Sequence, residues 1–206
     1  MNKPVPLPWH ARAALITCTV LAALVGVNAS GDIARLRHLS EIPSLLPAMP
    51  LVSPEAVQKA EAVARASMLG MRSSRLVVLT LLCIACTVTF LTVLRLWRPL
   101  GLPRAGVLRL ASFAALVCAL LRTIDGAQDA VIFRRIAAAL AEGLSPALSP
   151  AMADPETARL VTRLWPDLQM VVHVGLTALV AGAFAVLSQY FRSQRAQKLF
   201  TAGDPA

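Results

Sequence analysis

The chain has 206 residues, of which 57% are apolar and 15% are charged, and its formal net charge is +9. Soluble domains are typically about 45–50% apolar, so this composition argues against a soluble fold and indicates a helical membrane protein. The positive charge is divided among short, separate segments, which argues against nucleic-acid binding. Nucleotide-binding glycine loops, metalloprotease motifs and hydrolase nucleophile motifs do not occur in the sequence.

The N-terminal region has two interpretations. Residues 1–12 contain three prolines and two cations, and we predict an irregular cytoplasmic leader there. Residues 13–29 are apolar and near the lower length limit for a membrane span. We interpret them as a retained span, but a signal peptide cleaved after Ala29 also fits the pattern. Both interpretations place Ser30 outside the cytoplasm.

The connection 30–75 is polar, and its second half predicts a helix. Ser53 is a suitable N-cap, Pro54 suits the first helical position, and Glu55 suits the first turn. Glu61 and Arg65 form an i,i+4 pair in the favourable order. Apolar residues recur at helical spacing at Val57, Ala60, Ala64, Met68 and Met71.

The clearest membrane span lies at 76–97. Its first nineteen residues, 76–94, contain no charge, proline or glycine. At about 1.5 Å per residue they extend about 28 Å, close to the thickness of the hydrocarbon layer. Pro99, Gly101 and Pro103 then form a short connection, which predicts that the flanking helices are antiparallel neighbours.

Two further spans are predicted at 105–124 and 168–191. The helical pattern of the third span continues beyond residue 124, and we expect a long or kinked helix that stops at Glu142-Gly143. Residues 144–152 are predicted to be a turn-rich linker, and Asp154-Pro155 to start a separate helix. We expect Pro166 to open the fourth span.

The distribution of charge predicts the topology. The leader, the 95–109 region and the tail carry nine cations and one acid, whereas the remaining polar segments carry eleven cations and ten acids. The positive-inside rule therefore predicts that both termini are cytoplasmic. The connections 30–75 and 126–167 are then predicted to face outward.

The four cysteines all lie within predicted spans. The Cys-x-x-Cys pair is typical of thiol oxidoreductases, but a reactive pair normally lies at a helix N-terminus, and this one is inside a span. Four thiols at similar depth would suit a soft metal or an iron–sulfur cluster if they faced one centre. Packing is the simpler interpretation, because cysteine behaves as a small apolar residue. The residues are Cys18, Cys83, Cys86 and Cys118.

A second candidate site lies at the outer end of the third span. Ionisable residues at membrane depth are costly and indicate function by default. Carboxylates with a histidine suit a cation site or a proton relay. An Arg122–Asp125 ion pair that closes the outer end of the bundle is the structural alternative. The cluster comprises Arg122, Asp125, Gln128, Asp129 and His173.

The fourth span carries two pairs of small residues at i,i+4 spacing, which predict close helix packing in lipid. They are Ala178 with Gly182 and Ala181 with Ala185.

Together these features predict an all-α fold, in which four membrane helices form an antiparallel bundle with a small extracytoplasmic helical cap. Residues 1–206 are predicted to form one integral membrane domain. Alanine-, arginine- and leucine-rich usage suggests a bacterial inner membrane. We expect a non-enzymatic accessory or scaffold protein that binds a protein partner or lipid or forms a homo-oligomer, without cofactor, metal or nucleic acid. The alternatives are a small oligomeric transporter or channel component using the Arg122 cluster, and a thiol oxidoreductase using Cys83 and Cys86.

Overall fold

The computed structural model describes residues 7–47, 52–97, 104–148 and 155–201, and within these ranges it contains six helices and no strand. Four helices are long and apolar enough to cross a membrane, which confirms an all-helical chain with four candidate spans. The helices are α1 (Trp9–Arg37), α2 (Pro54–Gly70), α3 (Arg72–Trp97), α4 (Arg104–Leu148), α5 (Pro155–Arg192) and α6 (Gln194–Thr201).

The first helix is longer than the predicted span. α1 begins at Trp9, so the prediction of an irregular leader is wrong for residues 9–12. At its other end α1 continues through Ala29 and Ser30 to Arg37, so residues 30–37 are also helical. These residues include good helix formers, and Leu36 is buried, so packing supports the extension. The predicted start of α2 is confirmed, because the Ser53 hydroxyl oxygen accepts a hydrogen bond from the Ala56 N–H at 3.3 Å.

Two predicted helix breaks are wrong. α4 passes through Gly143 and ends at Leu148, and α5 passes through Pro166 as one helix of 38 residues. A glycine in a helix costs only about 1 kcal/mol. A proline removes one backbone hydrogen bond, and long membrane helices tolerate that loss. Residues 149–154, including the rest of the predicted linker and Asp154, lie outside the described residues.

The helices contribute to two compact units, and the first comprises the described residues of 1–32, 78–123 and 178–206. Phe191 and Phe200 are almost completely buried in its core. Ser112 and Ser188 join α4 to α5, since each hydroxyl donates to the other residue's carbonyl, at 2.9 and 2.8 Å. The core cluster consists of Ala11, Leu15, Cys18, Val93, Leu96, Leu108, Ala111, Leu187, Phe191, Ala196 and Phe200.

The second unit comprises the described residues of 33–77 and 124–177. Its core joins α2 to α4, with Ala60 and Ala64 packed among Ile132, Ile136, Ala139 and Leu140. The predicted Glu61–Arg65 pair is confirmed, because the Arg65 Nη2 atom lies 3.5 Å from the Glu61 Oε1 atom.

The same pair also holds the connection between α1 and α2. The Arg65 guanidinium donates to the carbonyl oxygens of Leu39 and Ile42 at 2.7 and 2.9 Å. Glu61 accepts a hydrogen bond from the Leu45 N–H at 3.0 Å. A segment without regular secondary structure is therefore fixed onto α2 by side-chain contacts with its backbone.

α4 and α5 are in close contact at Gly126. A Cβ atom added there would lie 2.2 Å from both the Cγ2 and the Oγ1 of Thr177, a side chain that is itself buried. No atom lies within 4 Å of a Cβ built on Gly175, which is in the same unit. Gly126 is thus required by the contact between the two helices, whereas Gly175 is not.

We predict that Gly126→Ala lowers the free energy of unfolding in detergent by about 1–3 kcal/mol, because the added methyl group forces the two helices apart. Gly175→Ala is the matched control and should be neutral or slightly stabilising, since alanine favours the helix. Equal stability of the two variants would contradict the close contact at Gly126.

Candidate functional site

The chemically most distinctive feature of the described residues is a buried ion pair between α3 and α4. The Arg75 Nη2 atom lies 2.6 Å from the Oδ1 atom of Asp129 and 3.4 Å from the Oδ1 atom of Asp125. The side chains of Arg75 and Asp125 are 5% and 1% exposed, and that of Asp129 is 20% exposed. One guanidinium nitrogen therefore joins two carboxylates of the neighbouring helix.

The local structure explains why one arginine reaches both acids. Asp125 and Asp129 are separated by one helical turn and lie on one face of α4. Arg75 lies in the first turn of α3, which begins at Arg72 immediately after α2. A buried charge is tolerated only when it is paired, so the face of α4 and the start of α3 must lie together.

Two polar atoms in this region have no hydrogen-bond partner among the described residues. They are the Arg75 Nε atom, a donor, and the Gln128 Oε1 atom, an acceptor, and both are buried. Gln128 is on the same side of α4 as Asp125, three residues further along the helix. Buried polar groups are usually satisfied, and an exception requires an explanation.

Two further contacts in the second unit join α4 to α5, one between aromatic rings and one between exposed charged side chains. The rings of Phe133 and His173 are stacked, with centroids 3.8 Å apart and an interplanar angle of 13°. The Arg134 Nε atom lies 3.0 Å from the Oδ1 atom of Asp167, and both side chains are more than half exposed. His173 therefore packs against the ring of Phe133 on α4, the helix that also carries Asp125 and Asp129.

The structure brings together part of the predicted cluster and adds a residue to it. Asp125 and Asp129 share Arg75, which is not a member of the predicted cluster. Arg122 is half-buried and also makes polar contacts. The signal that could have identified Arg75 is its position at the predicted outer end of the second predicted span, at the same predicted depth as the two acids.

The four cysteines are all free thiols. Cys83 donates to the carbonyl oxygen of Gly26 at 3.6 Å, whereas the Sγ atoms of Cys86 and Cys118 lie 3.8 Å apart. Cys18 is completely buried in the core of the first unit. The part of the chain that the structure describes contains no group of three or more His, Cys, Asp or Glu side chains placed to hold a metal ion. Thiol chemistry remains a prediction from the sequence.

The small residues of α5 lie on different faces of the helix. Ala181 is buried and Ala185 is half-buried, whereas Ala178 and Gly182 are exposed. No atom lies within 4 Å of a Cβ built on Gly182. Close packing at Ala178 and Gly182 within lipid stays a prediction.

No family model, curated protein or solved structure gives a significant match to this chain.

We predict that Asp125→Asn lowers the free energy of unfolding by about 3 kcal/mol or more, because it leaves a buried guanidinium without one of its charged partners. The matched control is Asp167→Asn in the exposed pair with Arg134, where we expect a loss of at most about 1 kcal/mol. Chemical unfolding of both variants in the same detergent measures the difference. A loss at Asp125 no larger than that at Asp167 would show that the pair does not stabilise the fold.

Proposed function

We propose that this chain is a non-enzymatic multi-pass protein of a bacterial inner membrane, an accessory or scaffold protein that binds a partner through outward-facing helical segments. In this proposal four spans form an antiparallel bundle, both termini are cytoplasmic, and the connections 30–75 and 126–167 form a helical cap. The excess of cations in the leader, the 95–109 region and the tail supports this orientation.

One observation carries the proposal, namely that the beginning of α5 exposes large apolar side chains. Leu160 and Leu164 are 57% and 52% exposed, and Arg159 and Arg163 beside them are also exposed. Twenty residues, or about 30 Å of helix, cover the hydrocarbon layer. Counted back from Arg192, that length ends near residue 172, so lipid tails do not account for the exposure of Leu160 and Leu164.

The polar contacts of the second unit support a binding role over a catalytic one. Arg65 and Glu61 hold the backbone of the connection before α2, and Arg75 holds two carboxylates of α4. These groups stabilise an ordered helical body. A fixed surface with alternating arginine and leucine suits a protein partner or a lipid headgroup layer.

A photo-crosslinking residue in place of Arg163 tests this proposal in intact cells. We expect a discrete adduct with a protein or lipid, and we expect Leu160→Gln with Leu164→Gln to reduce its yield at least fivefold. The same residue in place of Val186, which is exposed within the span, should give lipid adducts that the double variant does not change. Absence of an adduct at position 163, with normal lipid adducts at position 186, would refute the proposed binding surface.

A second candidate function is supported by the unpaired polar atoms beside the ion pair. The buried Arg75 Nε and Gln128 Oε1 atoms, together with the 20% exposed Asp129, suit a small oligomeric transporter or channel component. Such a protein would move protons or small cations past Asp125 and Asp129, with Arg122 and His173 near the same entrance. Packing alone does not require the unsatisfied donor and acceptor.

Proton flux into liposomes that contain the purified full chain distinguishes this candidate. Transport requires that flux exceeds that of empty liposomes and that Asp129→Asn abolishes it, because an amide does not titrate. Asp167→Asn should leave the flux unchanged. Equal flux in protein-containing and empty liposomes would eliminate proton transport and leave the binding proposal unaffected.

A further inference from the structure

Six exposed cations surround one end of the first compact unit, and we call them the basic end. They come from five helices, although they are widely separated in the sequence. The residues are Arg12 of α1, Arg95 of α3, Arg109 of α4, Arg192 of α5, and Arg195 and Lys198 of α6.

The core of the unit explains why these cations lie together. Five of them are direct sequence neighbours of residues in the same buried cluster, namely Ala11, Leu96, Leu108, Phe191 and Ala196. Because those five residues pack in one cluster, the adjacent charged side chains are held around it. Side-chain packing therefore brings these cations together in the folded unit, in agreement with the excess of cations counted along the sequence.

The short helix α6 adds two of the cations, and the sequence patterns did not predict it. Ser193 caps its start by accepting a hydrogen bond from the Ala196 N–H at 3.2 Å. Ala196 and Phe200 are completely buried, and the Arg104 guanidinium donates to the Phe200 carbonyl oxygen at 3.0 Å. With that face buried, Arg195 and Lys198 remain on the exposed face.

The charge at this end is strongly unbalanced. Among the described residues of the unit, the acidic residue is Asp32, which is 20 positions beyond Arg12 along α1, or about 30 Å away. A concentration of cations without acids attracts anions. Inorganic phosphate, an acidic lipid headgroup or an acidic protein would each satisfy this charge.

The surface next to the cations favours a lipid. Trp9 is 80% exposed three residues before Arg12, and Trp97 is 41% exposed two residues after Arg95. Exposed apolar side chains continue along the same two helices, including Ile16 and Leu91. Tryptophan beside arginine at the end of an apolar helix is typical of the layer between lipid tails and headgroups.

We propose that the basic end binds acidic phospholipids, with the arginine and lysine side chains on the headgroup phosphates and the acyl chains along α1 and α3. The ligand class is a phospholipid with a net negative headgroup, such as a phosphatidylglycerol. This inference rests on insertion of the four helices in a membrane, but it is independent of the partner surface proposed on α5.

The test uses the purified full chain in nanodiscs that contain equal parts of phosphatidylglycerol and phosphatidylcholine. Native mass spectrometry after gentle release measures which lipid stays bound. We expect phosphatidylglycerol to be enriched over phosphatidylcholine, and we expect the enrichment to decrease as salt is added.

The double variant Arg195→Gln with Lys198→Gln should reduce the enrichment on the order of tenfold, since a surface cation contributes about fivefold before screening. The matched control, Arg195→Lys with Lys198→Arg, conserves both charges and should retain the enrichment. Arg12→Gln with Arg95→Gln removes two charges without altering α6 and should give a similar loss, which distinguishes an electrostatic role from unfolding of α6.

Three results would overturn the proposal. The first is equal retention of the two lipids by the unaltered chain. The second is unchanged enrichment in both glutamine variants. The third is complete displacement of phosphatidylglycerol by inorganic phosphate at an ionic strength matched with chloride, which would identify a free phosphate site. The crosslinking result at position 163 does not depend on any of these outcomes.

Discussion

The second unit is organised around the charge of Arg75. A guanidinium on a side chain that is only 5% exposed requires charged partners, and both partners that the structure shows lie on one face of α4. They follow Arg75 by 50 and 54 positions in the sequence. This contact fixes the start of α3 against α4, and it also requires α4 to remain helical from Asp125 to Asp129.

The continued helix then supports the rest of the unit. Gly126 allows α5 to approach α4 beside Asp125. One to three turns further along α4, Ile132 and Ile136 pack against α2. Arg65 and Glu61 of α2 in turn hold the backbone between α1 and α2. The ion pair, the glycine contact and the α2 packing thus follow one another along α4.

The features that depend on local sequence were predictable, and those that depend on long-range contacts were not. Apolar length identified the four candidate spans, and the Ser53-Pro54-Glu55 capping residues identified α2, because both signals lie within one helix. Pairing of Arg75 with Asp125 joins distant positions, so helical periodicity could not distinguish it from pairing with Arg122. Gly143 and Pro166 were interpreted as breaks because propensity ignores the packing that carries a long helix past one unfavourable residue.

The α6 helix shows a different limit of sequence reasoning. Eight residues are too few for a helix to be stable on its own, and its polar composition resembles a solvated tail. Its stability comes from burial of Phe200 and Ala196 in a core built by four other helices. The charge balance of the tail was clear from the sequence, but the packing of Ala196 in the same core cluster as Ala11 and Leu96 was not.

The central proposal is that the chain crosses the membrane with the beginning of α5 outside and α6 inside. The most direct measurement is labelling with a membrane-impermeant maleimide of two single-cysteine additions, Arg163→Cys and Arg195→Cys, both at exposed positions. The unaltered chain, whose four thiols are buried or half-buried, serves as the blank. We expect Cys at position 163 to react in intact cells and Cys at position 195 to react only after the cells are opened. Reaction of both from the same side, or of position 195 alone in intact cells, would contradict the account.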